Sequence, residues 1–205
     1  MHTHTRSAVP RLTPHKLIQT HRLCTQSAPK TRAELKAAVD TCLRASSVGE
    51  CSKALGPIAE WDVSRVTDMN EMFYNRKSSY SNYPDISKFN ADISKWNVSR
   101  VTNMQSMFYN AQSFNVDISK WDVSRVTNMQ SMFSYAKSFN ADISKWNVSS
   151  VTNMDSIFNG ATSFSRKLCG TGWIVSQVPK NYAMFTGSSA QICFGSQPHA
   201  MTPTA

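Results

Sequence analysis

A repeat of 25 residues is the feature that most constrains how this chain of 205 residues can fold. The segment 114–138 recurs almost unchanged when it is shifted by 25 positions in either direction. The aromatic residues that recur in phase are Trp96, Trp121 and Trp146, then Phe108, Phe133 and Phe158, then Phe89, Phe114, Phe139 and Phe164. A fixed period of this length indicates that each copy buries its apolar face only against neighbouring copies, as in a solenoid.

The apolar pattern changes its period inside one copy. Residues 114–118 alternate apolar and polar side chains, which predicts a short extended strand. Further along, apolar residues follow at i, i+3, i+4 and i+7, which predicts one face of a short helix. These residues are Met129, Met132, Phe133 and Ala136. Thr127 and Gln130 have the spacing of a capping box, which would start this helix near Asn128.

These patterns predict an α/β solenoid with an N-terminal capping helix and disordered tails. The expected architecture is a leucine-rich-repeat-like stack of about five coils, each a short strand plus a short helix. The predicted segments are a basic tail at 1–30, a cap at 31–60, the repeats at 61–164, a degenerate capping coil at 165–187 and a second tail at 188–205.

The repeat motif resembles that of a known protein family. The string D-I-S-K-W-(N/D)-V-S-x-V-T-N-M-x-x-M-F, between about Trp61 and Phe164, is similar to the BspA-like leucine-rich-repeat surface proteins. Similar 25-residue repeats occur in surface lipoproteins of wall-less bacteria and in many unicellular eukaryotes. The resemblance implies a leucine-rich-repeat-like solenoid that acts in surface attachment or protein binding. It supplies no catalytic residues to carry over.

The positive charge of the chain lies at its ends. The formal net charge is +9, and residues 1–33 contain six basic residues and no acidic one. The repeats at 61–164 contain ten basic and nine acidic residues, so they are nearly neutral. A nucleic-acid-binding protein concentrates positive charge on the folded surface that meets phosphate. We therefore expect no nucleic-acid partner.

Localisation stays open at this stage. Residues 1–30 are basic, hydroxylated and free of acidic residues, a composition typical of an organelle transit peptide or of a disordered tail. They contain no apolar run of the kind found in a secretory signal, whereas the family resemblance implies the cell surface. No transmembrane segment is expected.

A capping helix is predicted before the repeats. Thr31 and Glu34 form a capping box, and an apolar stripe follows at helical spacing, which predicts a helix from about Arg32 to Ala45. Such a helix would cover the open edge of the first coil. Cys42 and Cys51 either form a disulfide, in an oxidising compartment, or remain two small buried hydrophobic residues in a reducing one.

Residues able to carry out chemistry are scarce in the repeats. All five histidines lie in the tails, and no His or Cys falls between Trp61 and Phe164, so the usual general base and soft metal ligands are missing there. We expect no enzyme, no metal site and no cofactor.

Three polar columns recur in phase. Asp92, Asp117 and Asp142 could suggest calcium, but a lysine follows each one by three residues, which favours ion pairing. Asn103, Asn128 and Asn153 are expected to hydrogen-bond turn backbone. Asn97 and Asn147 lie in Asn-Val-Ser glycosylation sequons, although Asp takes the same turn position in other copies, so turn chemistry accounts for both.

An insertion gives the most specific expectation about a partner. Phe73 and Phe89 are 16 residues apart, where later copies have 6, and the extra residues near Arg76–Asp85 include Tyr80 and Tyr83. Insertions in repeat proteins map to loops, often on the binding face, so these tyrosines are candidate partner contacts. We expect a non-catalytic protein-binding repeat module of surface or adhesion type. The alternative is a structural or adhesive unit that binds glycan or matrix.

Overall fold

The computed structural model describes residues 28–49, 51, 56–75, 84–174 and 182–193. Helix α1 spans Arg32–Ala45 and helix α2 spans Thr171–Ile174. Two short 3₁₀ helices span Ile58–Glu60 and Tyr182–Met184. Strands β1 (Lys167–Leu168) and β2 (Gln191–Ile192) form a parallel pair in which Lys167 lies opposite Gln191.

The predicted α/β solenoid of about five strand-plus-helix coils is wrong. The described residues contain two α-helices and two short parallel strands, and all four lie outside the repeats at 61–164. In the described part of the repeats, the chain is built from consecutive turns and isolated bridges instead.

The hydrogen bonds of residues 129–136 explain why the predicted helix does not form. The N–H groups of Met129, Ser131, Phe133 and Tyr135 donate to carbonyls of the next copy, at 2.7–2.9 Å. The N–H groups between them, of Met132, Ser134 and Ala136, donate to the carbonyl three residues back. A helix would send every N–H to the residue four positions back within its own segment. Ser131 and Tyr135 also have positive φ, 54° and 58°, which no right-handed helix accommodates.

The predicted strand at 114–118 is replaced by a ladder of asparagine side chains. The Asn115 N–H donates to Asn90 Oδ1 at 2.8 Å, and the Asn140 N–H donates to Asn115 Oδ1 at 2.7 Å. Side-chain oxygens therefore do the work of the backbone carbonyls in a strand ladder. The alternating burial that suggested a strand survives, since Phe114 and Ile118 are buried and Asn115 is exposed.

Each repeat copy pairs with the next through its backbone. Parallel bridges join Asp68 to Asn103, Asn103 to Asn128, and Asn128 to Asn153. Thr127 donates its N–H to the Thr102 carbonyl at 2.8 Å and its hydroxyl to the same oxygen at 3.1 Å. Thr127 therefore binds the preceding copy and does not cap a helix with Gln130. The copies lie side by side in chain order.

Buried tryptophans fix the spacing of the copies. The indole N–H of Trp121 donates to the Ile93 carbonyl of the preceding copy at 3.2 Å, and that of Trp146 donates to Ile118 at 3.1 Å. Both side chains are at most 4% exposed. A buried indole needs such an acceptor. Because the acceptor belongs to the neighbouring copy, each tryptophan joins two copies by packing and by a hydrogen bond.

Helix α1 covers the first copy, with the bounds expected from its capping box. The Thr31 side chain accepts a hydrogen bond from the Glu34 N–H, and the apolar side chains from Leu35 to Leu43 face the core. Arg32 Nε donates to the Asn70 carbonyl at 2.8 Å, which ties the helix to the first copy. A disulfide joins Cys42 to Cys51.

The other end of the row is closed by residues that were predicted to be a tail. Cys193 forms a disulfide with Cys169, and β2 pairs with β1. The prediction of a tail from residue 188 is therefore wrong for residues 188–193. Residues 1–27 and 194–205 lie outside the described part. Neither α-helix among the described residues has the length and apolarity needed to cross a membrane.

Candidate functional site

The sequence-predicted contacts Tyr80 and Tyr83 lie outside the described residues. The described chain stops at Asn75 before this insertion and resumes at Pro84. The residue before Asn75 is Tyr74, which begins a row of aromatic side chains on the repeats. The insertion is therefore continuous in sequence with an aromatic surface that the structure does describe.

Three tyrosines from successive copies form what we name the tyrosine strip: Tyr74, Tyr109 and Tyr135. The Tyr74 and Tyr109 rings are stacked, with centroids 4.7 Å apart and planes 6° apart. The Tyr109 and Tyr135 rings meet edge to face, with centroids 5.7 Å apart. Tyr135 is 43% exposed, whereas most large hydrophobic side chains of the described residues are buried. The strip presents aromatic surface to solvent across three copies.

Tyr135 has an unusual backbone conformation for its residue type. Its φ is 58°, and the two residues at the equivalent position of the flanking copies are Asn110 (φ 56°) and Gly160 (φ 69°). Asn and Gly are the residues that adopt this left-handed region readily. A side chain as large as Tyr costs about 1–2 kcal/mol there. The copy that carries Tyr135 therefore gives up stability that its neighbours keep.

Gly160 provides the floor on which Tyr135 rests. A Cβ atom added to Gly160 would lie 2.5 Å from Cδ1 and 2.9 Å from Cε1 of the Tyr135 ring. Contacts this short are not tolerated, so the ring position depends on the missing side chain. Gly187, in the last described segment, lies directly beyond Gly160, since its own Cβ would come within 3.4 Å of Gly160 Cα.

Uncharged amides fix the backbone beside the strip. Asn75 Nδ2 donates to the Asn110 carbonyl and Asn110 Nδ2 donates to the Asn75 carbonyl, both at 3.3 Å. Gln112 Nε2 donates to Asn110 Oδ1 at 3.1 Å. Burial, together with the neighbouring Tyr74 and Tyr135, raises the pKa of Tyr109 above its ordinary value. Its hydroxyl therefore stays protonated near neutral pH, and the strip carries no charge.

The aspartate columns serve the turns and form no ion pairs with the lysines three residues on. Asp92, Asp117 and Asp142 each accept a hydrogen bond from the N–H of the serine two residues later, at 2.9–3.0 Å. Hydrogen bonds from these serines hold the pKa of all three carboxyls below the usual value. The expected salt bridges with Lys95, Lys120 and Lys145 do not form in this described part of the chain.

The asparagine columns act on turns as the sequence predicted. Asn103, Asn128 and Asn153 accept a hydrogen bond from the N–H two residues on, at 2.9–3.1 Å. Asn97 and Asn147 do the same for Ser99 and Ser149. These columns are therefore parts of the scaffold, and they leave the tyrosine strip as the candidate site.

Sequence reasoning missed the strip for a definable reason. Tyr74 and Tyr109 directly follow the periodic Phe73 and Phe108, so a second aromatic column could have been read at that position. Tyr135 stands one residue later in its copy, so its contact with Tyr109 breaks the period and depends on the positive φ.

Comparison with known proteins places the chain in a family. No curated protein and no solved structure matches it. One family matches residues 45–92 and 77–193, which together cover more than half of the chain. Its description is "Mycoplasma protein of unknown function, DUF285". The chain described here, with its row of turn-built copies and its tyrosine strip, belongs to this DUF285 family.

Proposed function

We propose that this chain is a non-catalytic protein-binding repeat module of surface or adhesion type, which binds its partner through the tyrosine strip. The observation that carries the proposal is Tyr135, an exposed aromatic residue kept in a left-handed conformation that Asn and Gly adopt in the flanking copies. Backbone strain that is retained where a cheaper residue would fit points to a role outside folding.

The chemistry of the strip suits a protein surface. Tyrosine is enriched in the centres of protein interfaces, because its large ring has few rotatable bonds and its hydroxyl can find a partner. The strip is neutral, and its hydrogen-bonded neighbours Asn75, Asn110 and Gln112 are uncharged amides. We therefore expect a partner patch that is apolar at its centre, and binding that changes little with salt concentration.

The proposal assigns no catalysis. The repeats between Trp61 and Phe164 contain neither His nor Cys, so the usual general base and nucleophile are missing from them. The resemblance of the repeat motif to BspA-like surface proteins favours the same class of function. Tyr80 and Tyr83 remain predicted contacts, since their insertion leaves the described chain next to Tyr74.

The alternative is an adhesive unit that binds glycan or matrix. The partly exposed Tyr135 ring, with Gln112 and Asn159 amides in the adjoining copies, is the observation that favours it. A flat ring beside amide groups offers both an apolar platform and hydrogen bonds to hydroxyls. The two functions differ in what competes for the strip.

A matched pair of variants tests the proposal. Tyr135→Asn removes the ring and keeps a residue suited to positive φ, whereas Val48→Asn changes a side chain of similar exposure (46%) away from the strip. Both proteins should be used to capture cross-linked surface proteins, followed by titration of the purified partner in low and high salt. We expect Tyr135→Asn to weaken binding at least tenfold and Val48→Asn to leave it unchanged.

Two outcomes would decide against protein binding through the strip. Equal affinity of both variants for the same partner would place the contact elsewhere on the chain. Binding to a glycan array that is lost only in Tyr135→Asn, with no protein captured, would favour the adhesive alternative.

A further inference from the structure

Two exposed asparagines occupy one turn position in alternate copies of the repeat. Asn97 and Asn147 each follow a buried tryptophan, and each begins an Asn-Val-Ser triplet. They head the two Asn-X-Ser/Thr sequons of the chain. The same position in the other copies is held by Asp62 and Asp122, which lack the amide nitrogen.

The turn uses only one atom at the end of this side chain. Asn97 Oδ1 accepts hydrogen bonds from the N–H and the hydroxyl of Ser99, at 3.1 and 2.7 Å. Asn147 Oδ1 makes the same pair of bonds with Ser149, at 3.2 and 2.7 Å. Asp122 closes its turn in the same way through a single carboxylate oxygen, Oδ1. The second terminal atom is thus not needed by the fold.

In Asn97 and Asn147 this second atom is the amide nitrogen, Nδ2. Among the described residues, no acceptor takes a hydrogen bond from either Nδ2, and both side chains are exposed. Asparagine-linked glycans are attached at this atom. A sugar could therefore be added at either residue while both turn hydrogen bonds remain.

The cysteines supply an independent indication of the compartment. Disulfides join Cys42 to Cys51 and Cys169 to Cys193, at the two ends of the row of copies. Structural disulfides form and persist in oxidising compartments such as the secretory pathway. Sequons become glycosylated in proteins of that pathway.

We propose that Asn97 and Asn147 are N-glycosylation sites. In the transfer step, Nδ2 would form a bond to C1 of the first sugar of an oligosaccharide supplied by a polyprenyl-diphosphate-linked donor. The bond from C1 to the diphosphate oxygen breaks, the lipid diphosphate leaves, and Nδ2 loses one proton. The two glycans would stand two copies apart, about 10 Å at the usual spacing of paired backbones.

The direct experiment is peptide mapping of the full chain, purified from the cells that make it, before and after peptide N-glycosidase treatment. We expect the tryptic peptides 96–100 and 146–166 to carry glycan mass, and both asparagines to become aspartate on enzymatic release. Unmodified Asn97 and Asn147 in that protein would overturn the proposal.

Substitutions at the same turn position sharpen the test in a eukaryotic secretory expression host. Asn97→Asp should lose one glycan and still fold, since Asp already serves this turn in other copies. Asp122→Asn creates a third sequon with Val123 and Ser124, and it should gain one glycan. Full glycan mass retained after Asn97→Asp, or no gain after Asp122→Asn, would contradict the assignment to this turn position.

Discussion

The interior copies and the two ends of the row are stabilised in different ways. The copies that begin at Phe89, Phe114 and Phe139 have a neighbour on each side, and their chain contains no cysteine. Each end carries a disulfide, Cys42–Cys51 beside helix α1 and Cys169–Cys193 beside the terminal strands. A copy with two neighbours finds hydrogen-bond and ring partners on both sides, whereas a terminal copy finds them on one side only. Covalent closure replaces the missing neighbour.

The terminal copy also packs by a different rule. The Trp173 N–H donates to the Gly170 carbonyl, where Trp146 uses Ile143. A Cβ on Gly170 would lie 2.0 Å from the Ser144 carbonyl oxygen, so backbone replaces side chain at this contact. The interior is therefore held by repeated side chains, and the end by close backbone approach and a disulfide.

The largest expected effect concerns the interior. Trp121→Ala should lower the free energy of unfolding by about 3–5 kcal/mol, because it leaves a cavity between two copies and removes the donor to Ile93. Denaturant melts measure this directly. The exposed neighbour Lys120→Ala serves as the control and should stay within about 0.5 kcal/mol of the parent. A loss under about 1 kcal/mol for Trp121→Ala would mean that the tryptophan column does not hold the copies together.

Replacing Cys169 and Cys193 together by Ala tests the covalent end. The bridge closes a sequence separation of 24 residues, so its loss should cost about 2–4 kcal/mol. Hydrogen exchange should show faster opening of residues 182–193, with interior amides such as Met129 affected less. Uniformly faster exchange throughout the repeats would show that the ends and the interior unfold together.

Tyr135→Asn should have a small effect on stability. Relief of the left-handed strain, about 1–2 kcal/mol, offsets the lost contacts of the ring with Tyr109 and Gly160. We expect the midpoint of a thermal melt to move by only a few degrees in either direction. A loss above about 3 kcal/mol would mean that Tyr135 is a structural residue and would weaken the case for the tyrosine strip.

Acid should produce the smallest effect, and it acts on the turns. The carboxyl pKa of Asp122 is lowered from the usual 3.8 by hydrogen bonds from the side chain and backbone of Ser124. A folded-state pKa below the unfolded one adds stability above the unfolded pKa, and this stability is lost as pH falls through the folded value. Stability should therefore decline below about pH 4. Asp122→Asn should keep the turn and make this decline shallower in melts at graded pH, and an unchanged slope would contradict the role of Asp122.

The sequence predicted the packing better than the backbone. The periodic tryptophans and phenylalanines are buried, and the bounds of helix α1 follow from Thr31, Glu34 and an apolar stripe. The solenoid of strands and helices was wrong, because Met129, Met132, Phe133 and Ala136 are buried both by a helix and by a ribbon of alternating turns. Spacing alone cannot separate these two, since the choice depends on whether an N–H finds its acceptor in its own copy or in the next.

The site was less predictable than the core. Tyr135 contacts Tyr109 only because the chain turns left-handed at a residue type that seldom does so, and no periodicity encodes that. The Cys169–Cys193 bridge had a weak signal, because the two cysteines are separated by 24 residues, nearly one repeat, and so fall in adjacent copies.

The most direct test of neighbour-to-neighbour packing is a pair of deletions compared by thermal melts. Deleting Met129–Asn153 removes 25 residues and joins Asn128 to Met154 in phase, whereas deleting Met129–Thr152 removes 24 and leaves one extra residue inside the bridge column. We predict a cooperative melt, close to that of the parent, for the 25-residue deletion and loss of the cooperative transition for the 24-residue deletion. Equal melts for the two proteins would contradict the conclusion that each copy is held in register by the copies beside it.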